Sequence, residues 1–124
     1  MIAYYLAEVY RQQGDEFKVE KILKQGLEVN NKAADLYFQL ALSKVRQKNK
    51  QAALPLFDKA VANEARNPRY LYTRAVLLQE NQQLQAAKAD YGLAHQIVPN
   101  NPDYLYGLVS VLISLKSFDE ALHY

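Results

Sequence analysis

The chain contains no cysteine. That absence excludes disulfides, thiolate metal sites, cysteine nucleophiles and haem attachment through a C-x-x-C-H motif. It leaves the compartment open, because a cysteine-free chain suits cytosol and periplasm equally. An excess of either charge is missing as well: 15 Lys and Arg stand against 13 Asp and Glu, a formal net charge of +2. A nucleic-acid surface is expected to be clustered and basic, so none is expected here. No apolar run reaches the length of a membrane span. The start, Met1-Ile2-Ala3-Tyr4-Tyr5-Leu6, lacks the basic stretch that precedes the apolar part of a secretion signal.

Glycine is scarce too, at four residues. Neither G-x-x-x-x-G-K-S/T, G-x-G-x-x-G nor G-x-S-x-G occurs, which removes phosphate cradles and nucleophile elbows. His95 and His123 lie 28 residues apart, with no pair at metal-ligand spacing, and read as imidazoles without a task. The acidic pairs Asp15/Glu16 and Asp119/Glu120 fall at turns and helix starts. There they cap helices and complement the helix dipole, which accounts for them without catalysis. The expectation is a chain that is not an enzyme and holds no cofactor or metal.

What is present is a step of 34 residues. Ala53, Ala87 and Ala121 keep it, as do Ala7, Ala41 and Ala75, and as do Tyr4, Phe38, Tyr72 and Tyr106. Phe57/Tyr91 and Ala60/Ala94 repeat at the same distance. A fixed period of this length marks stacked helical hairpins. Without insertion or deletion the chain divides into 1–33, 34–67, 68–101 and a shorter 102–124. Half of the residues are hydrophobic, enough for one domain with a continuous core.

Each unit reads as two helices and a tight turn. In the third, Asn67 is placed to cap, Pro68 suits the first turn, and Leu71, Ala75 and Leu78 recur on one face. The fourth repeats this with Asn101, Pro102, Leu105, Leu108, Val109 and Leu112. Turns within hairpins fall at Gln13-Gly14-Asp15, Lys48-Asn49-Lys50, Asn81-Gln82-Gln83 and Lys116-Ser117, and only the first carries glycine. Helices are expected over 2–13, 16–29, 34–47, 50–63, 68–81, 84–97, 102–115 and 118–124. Pro55 falls inside the fourth of these, where it removes one hydrogen bond and bends the axis slightly.

These residues resemble the tetratricopeptide repeat family over essentially the whole chain. The family pattern appears as Leu40-Ala41 with Ala53, Phe57 and Ala60, and again as Ala75 with Ala87, Tyr91 and Ala94. Small residues let the two helices of a hairpin cross closely, and the aromatic fills the gap to the next hairpin. In the first unit Val19, Leu23 and Gly26 hold those places, and the proline that closes the second helix survives only as Pro99. The resemblance implies an all-α, right-handed superhelical solenoid of three full repeats and a partial fourth. It also implies a bridge between Arg74, which stands where the other repeats have Leu6, Leu40 and Leu108, and Asp90 just before Tyr91.

Such a superhelix is lined on its inner side by the first helix of each hairpin. Helical spacing assigns Tyr4, Tyr5, Glu8 and Arg11 to that groove, then Asp35, Phe38, Gln39 and Leu42. Further along come Arg69, Tyr72, Thr73 and Val76, and last Asp103, Tyr106, Gly107 and Ser110. The column Tyr4, Phe38, Tyr72, Tyr106 reads either as contact anchors for a peptide or helix, or as packing against the neighbouring helix. The best-known family mode grips a terminal carboxylate, and its positions here are Tyr4, Glu8, Gln39, Arg69 and Thr73. Only Arg69 has the required charge and Glu8 opposes it, so a carboxylate clamp is not expected.

The function expected is therefore a protein-interaction scaffold for a protein or peptide partner, with no nucleic acid and no membrane insertion. The alternative is an accessory repeat domain of a larger bacterial enzyme or multihaem cytochrome. RNA binding of the pentatricopeptide kind is disfavoured by the strict step and the mixed groove charge. The chain stops at Tyr124, about two turns into its last helix, and is expected to be a fragment of a longer array that self-associates through that end.

Overall fold

A residue in left-handed conformation ends the first helix of every hairpin. Gly14, Lys48, Gln82 and Lys116 have φ of 76°, 61°, 61° and 60°, and they stand 34 residues apart. In the first three turns the hydrogen bonds also repeat. Gly14 N–H donates to Arg11 and Asp15 N–H to Tyr10; Lys48 donates to Val45 and Asn49 to Lys44; Gln82 donates to Gln79 and Gln83 to Leu78. This pairing satisfies the last carbonyls of the helix and turns the chain sharply. Three of these positions lack glycine, so the turn there is imposed on side chains that disfavour it.

The computed structural model describes residues 2–116, apart from the side chains of Ile2 and Tyr4. Among these the chain is helical hairpins with no strand: α1 (Ile2–Gln12), α2 (Glu16–Val29), α3 (Ala34–Arg46), α4 (Lys50–Asn63), α5 (Pro68–Glu80), α6 (Leu84–Ile97) and α7 (Pro102–Ser114). The expected helix over 118–124 lies outside the described residues. The other seven expected spans agree with the observed ones to within one residue at either end.

Asparagine and aspartate begin most of the helices. Asp15 accepts from Lys18 N–H and Asn49 from Ala52 N–H, while Asn67 and Asn101 each accept two backbone N–H groups with proline following. Ala33 and Gln83 stand at the equivalent starts of α3 and α6 and make no side-chain cap bond.

The chain forms two compact units, Met1–Glu64 and Ala65–Tyr124. In the first, α1 packs on α2, α2 on α3 and α3 on α4. Its core gathers Ala7, Val19, Leu23, Leu36 and Leu40, with Ala3, Tyr10, Ile22 and Leu56 packed around them. Gly26 sits where α2 meets two neighbours: a Cβ there would lie 2.7 Å from Leu36 Cδ1 and 2.8 Å from Ala3 Cβ. Polar groups join α2 to α3 at the rim. Glu16 accepts from Ser43 Oγ at 2.6 Å and from Arg46 Nε, and Glu20 pairs with Lys44 Nζ at 2.9 Å and accepts from Gln47. Burial pushes both carboxyls up, but these donors outweigh it and hold them below the ordinary carboxylate value. Pro55 lies within α4, which continues past it.

In the second unit α6 packs on both α5 and α7. Ala75, Ala87 and Ala94 are fully buried, as the close crossing of α5 and α6 requires. The Arg74 guanidinium makes two parallel hydrogen bonds to Asp90, Nε to Oδ2 at 2.7 Å and Nη2 to Oδ1 at 2.8 Å, as the resemblance implied. The same two positions in the earlier hairpins hold Leu6/Ile22 and Leu40/Leu56. One hairpin thus holds an ion pair where the others have two apolar residues.

Candidate functional site

The first helix of each hairpin carries a stripe of residues at helical spacing, and its fate differs between the units. On α5 the stripe holds Arg69, Tyr72, Thr73 and Val76, and on α7 it holds Tyr106 and Ser110. These helices touch directly. Gln79, one turn beyond Val76, joins them: its Nε2 donates to Ser110 Oγ at 3.0 Å, and its Oε1 accepts from Tyr91 O–H at 2.8 Å. Gln79 is absent from the expected groove, although the spacing 69, 72, 76 extends to it.

Three tyrosine rings cluster at this face. Tyr72 has ring centroids 5.8 Å from Tyr91 and 5.1 Å from Tyr104, and it is half-buried. The Tyr91 phenol is pushed up to about 12, first by burial and then by the charges of Tyr72 and Glu80. It is therefore a hydrogen-bond donor at any physiological pH. Thr73 directs its hydroxyl to the Arg69 carbonyl at 2.8 Å, within its own helix. Tyr106 differs from all of these, being 76% exposed. In the earlier hairpins Phe38 meets Phe57 and Tyr72 meets Tyr91.

In the first unit the expected groove residues separate. Tyr5 is exposed, and Glu8 is ion-paired with Arg11 three residues on. Phe38 is 2% exposed and packs edge-on to Phe57 at 5.7 Å, and Gln39 is also buried. Leu42 is half-buried. The Tyr4 side chain lies outside the described residues. Phe38 and Gln39 thus offer no surface to a ligand here, because α3 turns that part of its stripe inward. Helical spacing fixes the angle between side chains on one helix; the depth at which neighbours cover them is set by tertiary packing.

Among the described residues no group of three His, Asp or Glu side chains is arranged to hold a metal ion. No helix among them is long and apolar enough to cross a membrane.

No family model matches the chain, and no curated protein matches it. Solved structures do. The first tetratricopeptide domain of Spaghetti (RPAP3), bound to the HSP90 peptide SRMEEVD, is 21% identical with a TM-score of 0.84, over 93% of this chain and 91% of that one. The Yersinia enterocolitica type III secretion chaperone SycD, in complex with a peptide of the translocator YopD, is 16% identical with a TM-score of 0.79, over 90% and 91%. PilF of Pseudomonas aeruginosa is 24% identical with a TM-score of 0.82, over 97% of this chain and 55% of PilF. The chain has the tetratricopeptide-repeat fold.

Proposed function

We propose that this chain is a protein-interaction scaffold that takes a peptide or helix on the exposed stripe of α5 and α7. The observation that carries the reading is Tyr106, a large ring 76% exposed on α7 beside Ser110 and next to the α5 stripe. A tyrosine orders only two side-chain torsions on binding and contributes both apolar area and a hydroxyl. Arg69 adds a cation at one end of α5, and Val76 an apolar step one turn beyond Tyr72. In the first unit Tyr5 is the exposed candidate. Two proteins of like fold hold peptides, SycD and the RPAP3 domain, which supports this class of function.

The kind of peptide follows from the side chains. A terminal carboxylate needs several converging donors. On α5 Arg69 is the one cation of the stripe, and the Thr73 hydroxyl serves its own helix. The face of α5 and α7 therefore suits an apolar or amphipathic segment and not an acidic terminus.

The test is affinity purification from cells with the chain as bait, read by mass spectrometry, in the native sequence and in Tyr106→Ala and Arg69→Ala. A partner retained by the native chain and lost with Tyr106→Ala, at unchanged circular dichroism, is the expected result. Equal recovery by all three chains would remove the stripe from the reading.

A further inference from the structure

We propose that the outer face of α2 adsorbs on an anionic lipid surface, with Phe17 seated among the headgroups and Lys18, Lys21 and Lys24 on their phosphates. This surface is separate from the Tyr106 stripe and does not depend on it.

α2 is packed on both sides, by α1 and by α3. Its Val19 and Leu23 are buried, and the opposite arc carries Phe17, Lys21 and Lys24 at helical spacing with Lys18 beside them. That this arc lies open is a property of the repeat. On α6, which is also packed on both sides, the matching Gln85, Ala86 and Ala89 are exposed as well.

What sets α2 apart is the chemistry of the arc. Phe17 is 80% exposed and so contributes next to nothing to the core. The 34-residue step puts Gln51 and Gln85 at its place, Pro55 and Ala89 at that of Lys21, and Asp58 and Gly92 at that of Lys24. Glu20, the carboxylate inside this run, is turned to Lys44 and Gln47 of α3. Lys18 and Lys24 meet Asp15 and Glu20 only at 3.8 Å, with side chains 57% and 61% exposed. Pairs of this kind along one helix are weak, and phosphate oxygens can replace them.

The same pattern decides against a protein helix as the occupant. A docked helix needs an apolar seam along the contact, and beyond Phe17 the stripe runs Lys21, Lys24, Glu28. A bilayer interface needs no seam. One aromatic ring enters the headgroup layer, and flexible lysine stems let the ammonium groups reach the phosphates around it.

The chain has no tryptophan, so Phe17→Trp places a single indole on this face. The probe is vesicles of phosphatidylcholine and phosphatidylserine in equal parts. The indole emission is expected to move to the blue on them and to be quenched by brominated acyl chains, with no change on phosphatidylcholine alone. Lys21→Gln and Lys24→Gln, added singly, are each expected to weaken that partition about fivefold at unchanged circular dichroism. In the otherwise native chain, Phe17→Ser is expected to weaken co-sedimentation with the mixed vesicles about tenfold. An indole emission unmoved by the mixed vesicles would overturn the proposal. So would equal binding to both kinds of vesicle, or binding indifferent to the lysine substitutions. A dimer in sedimentation that Phe17→Ser converts to monomer would overturn it too, since a second copy would then cover the face.

Discussion

Gly107 on α7 lies flat against the ring of Tyr91 on α6. A Cβ at Gly107 would stand 2.4 Å from Tyr91 Cε1 and 2.6 Å from Cδ1, well inside contact distance. The two helices approach this closely only because one residue has no side chain. Gly107→Ala should destabilise the protein by about 1–3 kcal/mol, since the ring is buried and must shift. Gly92, within α6, is the control: nothing lies within 4 Å of its added Cβ. Gly92→Ala should stabilise by up to about 1 kcal/mol through helix propensity. Urea denaturation of both variants checks the contrast, and equal shifts would contradict the packing.

The Arg74–Asp90 pair can be set against the protein's own alternative. Asp90→Ala leaves a mostly buried guanidinium without its bidentate partner, and about 3 kcal/mol should be lost. The double variant Arg74→Leu with Asp90→Leu copies Leu40 and Leu56 of the preceding repeat. Its stability should return to within about 1 kcal/mol of the native chain or exceed it, because an apolar pair carries no desolvation cost. A double variant as weak as Asp90→Ala would mean that the third hairpin cannot accept the apolar solution.

The perturbed groups define two pH windows. The folded Tyr91 titrates near 12 and the unfolded one near 10.0, so the unfolded chain gives up its proton first as pH rises. Stability held below pH 10 should fall between about pH 10 and 12, and Tyr91→Phe should flatten that fall. Glu16 and Glu20 run in the opposite sense, with folded values below the ordinary 4.5. Their contribution is present above that value and is lost as pH falls through the lowered one. Urea midpoints across both windows, with Glu16→Gln for comparison, measure the effect.

Gln83 starts α6 without a side-chain cap bond, at the position where Asp15 and Asn49 cap α2 and α4. Its side-chain oxygen instead accepts from Asn81 Nδ2 at 2.9 Å. Gln83→Asp should add about 1 kcal/mol and raise the melting temperature. A neutral result would show that another group already satisfies those donors.

Much of this architecture could be read from the sequence because the 34-residue step and the helix caps agree with one another. Asn67-Pro68 and Asn101-Pro102 place two helix starts without any tertiary information, and Ala75, Ala87 and Ala94 mark the close crossing. The Arg74–Asp90 bridge was legible because the family resemblance pairs an arginine there with an aspartate before the aromatic, and a lone inward charge demands a partner. The candidate site was less so. Phe38 and Tyr106 hold equivalent places at equal spacing, yet one is buried against Phe57 and the other is bare. Local pattern cannot separate them, because burial depends on which helix arrives from elsewhere in the chain. The turns at Lys48, Gln82 and Lys116 were placed by the repeat, but not their left-handed conformation. Their left-handed backbone is fixed by the hydrogen bonds around it and not by a glycine.

Those turns carry a consequence for how such a chain can change length. Each one halts a helix at the same angular phase, so a whole 34-residue block can be added or lost and every later contact falls on its old partner. A single residue inserted within α6 ahead of Asp90 would instead rotate the remainder of that helix by about 100°. Asp90 would swing away from Arg74, and Tyr91 would leave Gly107. Growth by duplication is thus open to this chain, while growth by single residues inside a helix is closed.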